Sequence, residues 1–324
     1  MEPSDEFKWK SDKLENLLVT QAKNTVEIVV PWGNESVRPG AGFESKSMLA
    51  GSPWKTERSP FKSFEATDNY MIYEQRGDGR ANYRSADSYS HGTSTVHYSG
   101  SLGVTVDAVF ASASVTGSFD RSIQENKDSI KISRNNIVKA GMIQFAKTPE
   151  LNSSATTTLR AADGEEKFRS QFGDYYLAGM ILGGDSGTFL SVDEDNTTTT
   201  DTTSVKVTVK VLFWSKSATT THVSTHSTET IFVNLLGYDT LDHLNLHKMQ
   251  IAAEEAVADI HHYNGLAENL ETRVLERMRK LGITEGKRIS VDHCKDICEA
   301  GLVVQLLMMP YHTLMSYQKA LLMP

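Results

Sequence analysis

Two stretches of the chain alternate hydrophobic and polar side chains with period two. In Thr93–Phe119, Val96, Tyr98, Leu102, Val104 and Val106 alternate with smaller or polar residues. After Asp107 the parity slips by one, and Val109, Ala111, Ala113, Val115 and Phe119 continue opposite Ser112, Ser114, Thr116 and Ser118. Period two predicts strand, and the slip predicts a bulge near Asp107–Ala108. A polar tip, Asp120–Asp128, then leads into a second alternating run around Ser129–Ser133 and an apolar stretch to Phe145, so the whole reads as a long hairpin. Ser204–Lys216 repeats the pattern, with Val205, Val207, Val209 and Val211 on one face, Lys206, Thr208 and Lys210 on the other, and Phe213 and Trp214 at its end.

The remaining segments complete an α+β chain. Val26–Val30 reads as a short strand ended by Pro31 and Gly33, and Thr230–Leu236 as another closed by Gly237. Gly164–Gln171 is helix-compatible, and the apolar run from Tyr175 to Val192 reads as a strand. Gly179, Gly183 and Gly184 interrupt it, marking a sharp bend or a close backbone approach near its far end. An acidic, Thr-rich stretch, Asp193–Thr203, reads as a solvated loop joining that strand to Ser204–Lys216, with Asp193, Glu194, Asp195 and Asp201 at the hairpin tip. Beyond Tyr238 the pattern turns helical: Asp242–Asp259 first, a break at Gly265, then Leu266, Leu270, Val274 and Met278 at every fourth residue with Gly282 as the stop. Gly301–Met309, before Pro310, reads as a fully buried strand. The expected architecture is a bent, twisted antiparallel sheet flanked by helices. A polar arm (1–24) precedes a core sheet domain (25–240), and C-terminal helices with a buried strand (241–324) pack on that core.

Composition narrows the function. The chain has 324 residues, 39% of them hydrophobic, enough to bury a sizeable core. A net charge of −8 without a basic cluster argues against nucleic acid as a partner. The charged beginning lacks an apolar signal region, which predicts a cytoplasmic or leaderless secreted protein and makes the sequons at Asn34, Asn152 and Asn196 chance matches. With only Cys294 and Cys298 there is no disulfide framework. His293, Cys294 and Cys298 could share a helix face, but a fourth zinc ligand is not evident, and His261-His262 reads as surface. Gly184-Asp185-Ser186-Gly187 spells GDSG, the nucleophile loop of one protease class. Neither His91 nor His97 stands in the sequence context that chemistry uses, and a tight turn or bent strand explains the residues equally. No catalytic residue, metal or cofactor is expected, with a serine hydrolase using Ser186 as the remote alternative.

Phe172, Gly173, Tyr176, Gly183 and Gly184 carry a family resemblance. Their spacing is similar to the signature of the membrane-attack-complex/perforin (MACPF) proteins: aromatic, Gly, Thr or Ser, His, aromatic, six residues, Gly-Gly. Asp174 and Tyr175 replace the usual Thr and His, a variant that resembles the fungal branch of the family, as do Ser114–Asp120 and the apolar run ending in Pro310-Tyr311, while Gly40–Phe43 resembles the Gly-x-Gly-aromatic entry found early in MACPF domains. The resemblance spans roughly residues 26–317. It implies a MACPF-like sheet and a membrane-interacting protein that oligomerises on lipid, by analogy able to form cytolysin-like pores, with a second protein component as a further partner. It would be membrane-associated when assembled. Gly183 and Gly184 would then be a hinge, Phe172–Tyr176 its packing anchor, and the Val205–Val211 face a membrane hairpin of a β-barrel. The same alternation also fits an ordinary half-buried sheet, and a non-lytic lipid- or protein-binding module on this scaffold is the alternative. Two helical clusters unfurl in the pore-forming members. The corresponding connections here, Asp120–Asp128 and Asp193–Thr203, read as short, polar and hardly helical, which argues against lysis.

Overall fold

The structure is a computed structural model, and it describes residues 27–31, 37–47, 53–55, 58–62, 71–75, 81–88, 98–99, 104–105, 125–128, 130–192, 202–214 and 231–322, with single positions at 22, 116, 119, 122 and 123. In chain order the strands are β1 (Ile28–Pro31), β2 (Gly42–Phe43), β3 (Trp54–Lys55), β4 (Met71–Glu74), β5 (Ala81–Ser88), β6 (Tyr98–Ser99), β7 (Val104–Thr105), β8 (Lys131–Phe145), β9 (Tyr175–Val192), β10 (Phe232–Asp239), β11 (Leu244–Ala252), β12 (Arg288–Ile289) and β13 (Val303–Pro310). The α-helices are α1 (Ser153–Arg160), α2 (Gly164–Phe172), α3 (Thr202–Trp214), α4 (Ala253–Glu268), α5 (Leu270–Lys280), α6 (Val291–Glu299) and α7 (Met315–Leu322).

The long strand β9 organises the fold, because every other part of the sheet is placed by what pairs with it. β8 lies antiparallel along almost its full length, from Lys131 opposite Ser191 to Gln144 opposite Gly179. Its other edge changes partner midway: β13 pairs with Tyr175–Leu182 and β10 with Ser186–Val192. β8 changes partner too, from β5 along Lys131–Val138 to β4 along Met142–Phe145. The sheet therefore has an upper half, β5-β8-β9-β10-β11, and a lower half, β12-β4-β8-β9-β13-β1, that meet at Gly183–Gly184. Helices cover both faces of β9, which is why nearly all its residues are buried and why it reads as a near-continuous apolar run.

Among the described residues, four cores follow from this plan. Beneath the lower half, α5 and α6 bury Leu270, Val274, Met278, Cys294 and Ile297 against Tyr175, Leu177 and Leu182. On its opposite face Tyr176 and Ala178 meet α1, α2 and α7. Above the bend, α3 and α4 cover one face, while Phe119 and Ile123 pack on the other against Phe189, Leu236 and Tyr238.

Several sequence expectations need correction. The Val205–Val211 run is helix α3, not a strand, so no hairpin joins it to β9, which pairs with β10 instead. Ser122, Ile123 and Glu125, expected in a hardly helical tip, are helical, as are Thr116 and Phe119 within the run expected as strand; of the rest of Thr93–Phe119 only β6 and β7 are described. Residues 244–252, expected within a helix, form the edge strand β11, whose half-buried and exposed positions alternate while it hydrogen-bonds to β10. Gly265 lies inside α4 rather than at a break, because its surroundings are open and the helix passes through it at modest cost. Gly237 does not close β10; a Cβ there would stand 2.8 Å from the Tyr263 ring, so glycine admits α4 onto the strand. β13 is not fully buried, since Gln305, Leu307 and Met309 are partly exposed. Asn152 caps α1, accepting from the Ala155 N–H and donating to the carbonyls of Ser59 and Phe61.

Candidate functional site

The bend is built by two inserted residues. Opposite Leu182 and Gly183, β8 carries the extra residue Ala140, and opposite Ile181 and Leu182, β13 carries the extra residue Val304. Bulges on both neighbours sharpen the twist and turn the sheet. Gly183 donates its N–H to the Leu302 carbonyl at 2.8 Å, and a Cβ there would lie 1.7 Å from the Val138 carbonyl oxygen. At Gly184 a Cβ would meet Leu270 Cδ1 at 2.8 Å and Val274 Cγ2 at 2.9 Å, so α5 rests directly on the bend. Neither glycine has positive φ; close approach, not backbone conformation, is what requires them.

Ion pairs hold α5 there. Arg273 donates to both carboxylate oxygens of the fully buried Asp239, at 2.7 and 2.8 Å, and to Asp242 at 2.6 Å. Arg277 donates to Asp242 at 2.8 Å and to the carbonyls of Leu241 and Ala300. Burial opposes charge on Asp242, but its bonds from Arg277 and Arg273 outweigh that and hold its carboxyl below the usual range.

Phe172–Tyr176 anchors the lower end of β9. Gly173 ends α2 at φ 85°, where a Cβ would also strike the Phe43 carbonyl at 2.2 Å. Phe172 packs against Phe168, tilted by 55° at 4.8 Å between centroids, and Tyr176 lies 5.2 Å from Phe61 and 5.3 Å from Tyr311. Asp174 accepts from the N–H and hydroxyl of Ser45 and lies 3.9 Å from Arg169, which is also paired with Glu44. Burial pushes the Asp174 carboxyl up despite these partners.

At the upper end, α3 lies on the sheet. Val205, Val209, Leu212 and Phe213 are buried against Ile132, Leu190, Val233 and the α4 residues Ala256 and Ile260. Val207 and Val211 are 57% and 47% exposed. Asn264 of α4 donates to the Phe213 carbonyl at 2.8 Å, satisfying one carbonyl at the end of α3, and Arg134 lies over the Trp214 ring. The helical spacing of Val205, Val209, Leu212 and Phe213 was present in the sequence beside the period-two pattern, and it is the signal that finds the helix. Asp193, Glu194, Asp195 and Asp201 lie outside the described residues.

The other candidate residues are dispersed. Ser186 is buried within β9 and its hydroxyl donates to the Tyr238 carbonyl at 3.2 Å, while Asp185 accepts from Asn135 and Tyr238; His91 and His97 lie outside the described residues. Cys294 and Cys298 point into the core, where burial pushes their thiols up to about 12 and about 11, while His293 is only half-buried. His261 is half-buried and His262 exposed. No helix among the described residues is long and apolar enough to cross a membrane.

No family model matches the chain, and no curated protein matches it. Solved structures do. Wild-type pneumolysin is 12% identical at a TM-score of 0.35, covering 88% of this chain and 58% of that one. The human-specific toxin intermedilysin is 12% identical at a TM-score of 0.30, with the same coverage of each chain. A protein from Bacteroides thetaiotaomicron, named for cell invasion and a MAC/Perforin domain, is 12% identical at a TM-score of 0.24, covering 82% of this chain and 66% of that one. This chain thus spans less than two thirds of each, and at these values no residue role passes from them to it.

Proposed function

We propose that this protein is a MACPF-like, membrane-interacting protein that oligomerises on lipid and opens pores, acting by refolding rather than by catalysis. The observation that supports this reading is α3. Thr202–Trp214 holds Val205, Val207, Val209 and Val211 alternating with Lys206, Thr208 and Lys210, a β-branched pattern that favours a pleated strand and loses side-chain freedom in a helix. As a helix it leaves Val207 and Val211 in water; as a strand it would gather all these valines on one face. A segment whose local preference opposes its conformation is a conflict that the surrounding structure must offset. It is stored at the end of the strand it would extend. Gly184 lets α5 rest on the sheet at the bend, while Gly183 admits the β8 backbone, and release of α5 would let the two halves straighten.

The test is dye release from vesicles of phosphatidylcholine, sphingomyelin and cholesterol, with negative-stain imaging of the same samples. Release together with rings or arcs is the expected outcome. Binding without release would favour the non-lytic module, and absence of both binding and release across sphingolipid and sterol contents would overturn the membrane reading.

A further inference from the structure

Just above the bend, the face of the sheet beneath α4 turns polar across three strands. Register sets two rows there: Asn136, Ser186 and Asp239, then Arg134, Thr188 and Gly237. Directly opposite residues share a face, so all six lie on the side covered by α4 and α5. Below these rows the same face is apolar at Val138, Leu182 and Leu241. Above them it is apolar again at Ile132, Leu190 and Leu235. A polar belt two rows deep therefore stands between two apolar cores, and Ser186 of the GDSG tetrapeptide belongs to it.

Most of the belt is satisfied from within the protein. Arg134 pairs with Glu268 of α4 at 3.0 Å, Arg273 donates to Asp239, and the Ser186 hydroxyl donates to the Tyr238 carbonyl. Asn136 Nδ2 donates to the Ala267 carbonyl of α4 at 2.6 Å. Three atoms are left over. Asn136 Oδ1, Thr188 Oγ1 and Asn264 Oδ1 have no hydrogen-bond partner among the described residues, although the three residues are only 3%, 0% and 8% exposed. Asn264 and Ala267 are three apart on α4 and share a helix face, and Ala267 stands over Asn136. Tyr263, beside Asn264, covers Gly237 in the Thr188 row. The Asn264 amide is thereby held over the belt, with Nδ2 donating to the Phe213 carbonyl and Arg134 lying over the adjoining Trp214 ring.

We infer that this belt is a buried hydration site, in which Asn136 Oδ1, Thr188 Oγ1 and Asn264 Oδ1 hold ordered water between α4 and the sheet. The chemistry of the three atoms selects the occupant. Each amide donates through Nδ2 to a backbone carbonyl, which only accepts, so turning either amide over would set oxygen against oxygen. Oδ1 is therefore the atom left without a bond in both. Two amide oxygens and a hydroxyl call for an occupant with at least two donors. Water supplies them, and a buried water takes about three hydrogen bonds from otherwise unsatisfied polar groups. A metal cation would also suit oxygen ligands, but it would sit beside the Arg134 guanidinium, whose charge repels it. The nearby carboxylates do not compensate, because Glu268 and Asp239 are already paired with Arg134 and Arg273. Left dry, each of the three atoms would carry its full desolvation penalty. The site stands independently of the membrane reading.

A high-resolution crystal structure of the wild-type chain tests the occupant. Solvent density is expected between α4 and the sheet, about 2.5–3.0 Å from Thr188 Oγ1 and within hydrogen-bond reach of Asn136 Oδ1. No density there, or a peak that gains anomalous signal when the crystals are soaked in rubidium chloride, would overturn a water site. Thr188→Val supplies a second readout in solution, since it replaces the hydroxyl by a methyl group of nearly the same shape. If the hydroxyl bonds water, the unfolding equilibrium constant should rise about two- to tenfold and the urea midpoint should fall. If the belt is dry, the substitution removes an unpaired buried hydroxyl, and an unchanged or raised midpoint would overturn the inference. Should the variant fail to fold, the density in the wild-type crystal decides.

Discussion

Gly183→Val is expected to abolish cooperative folding. A Cβ at this position would lie 1.7 Å from the Val138 carbonyl oxygen, and that carbonyl belongs to the backbone of β8 in the middle of its ladder with β9. Overpacking against side chains costs about 1–3 kcal/mol because the side chains can shift. Here the obstacle is main chain held by pairing on both edges, so the cost lies well above that range and is comparable with an ordinary folding free energy of about 5–15 kcal/mol. Gly184→Val should be milder, since the added atoms meet the ends of Leu270 and Val274 and can lift α5 slightly. Urea denaturation followed by circular dichroism distinguishes them: no transition for Gly183→Val, and a lowered midpoint for Gly184→Val. A Gly183→Val protein as stable as wild type would mean that the halves of the sheet do not meet as described. Since folding is lost, Gly183→Val is no test of a hinge, and Gly184 is the position at which bending and folding can be separated.

Val207→Lys should leave the folded protein almost unchanged and strongly impair membrane activity. Val207 is 57% exposed on α3, where a surface substitution costs at most about 0.5 kcal/mol. In a barrel strand it would face lipid, where a lysine at mid-bilayer costs about 2–4 kcal/mol, equivalent to about thirty- to several-hundred-fold in insertion. Thr208→Lys, on the face shared by Lys206 and Lys210, should release dye at close to the wild-type rate. Val209→Lys should fail before reaching a membrane, because Val209 is fully buried in the folded protein. The order Thr208→Lys, then Val207→Lys, then Val209→Lys in dye release, with only the last unstable in urea, is the expected result. Equal release by Val207→Lys and Thr208→Lys would contradict a lipid-facing Val207.

The parts legible in the sequence were those whose local pattern and final environment agree. β9 runs from Tyr175 to Val192 as expected, because helices on both faces demand a continuous apolar strand. The stop of α5 at Gly282, with φ 63°, is likewise a local matter of helix ends. What stayed hidden depends on distant chain. Val205, Val207, Val209 and Val211 carry the strand period while Val205, Val209, Leu212 and Phe213 carry the helical one. The choice falls to α4 and Asn264, some fifty residues away by the spacing of their hydrogen bond. β11 was hidden because its alternation is weak at an edge and the strongly helical Glu254-Glu255 run follows at once. The surroundings of the GDSG residues were hidden too: they lie buried in a strand, with the Ser186 hydroxyl donating to the Tyr238 carbonyl across the sheet.

The most direct measurement is an environment-sensitive fluorophore on single cysteines placed in turn from 204 to 212, read in solution and on vesicles. In solution the apolar signals should fall at 205, 209 and 212, the buried face of α3. On vesicles they should move to 205, 207, 209 and 211, with 206, 208 and 210 wet. A helical spacing that persists on vesicles releasing dye would show that this segment does not become a membrane strand.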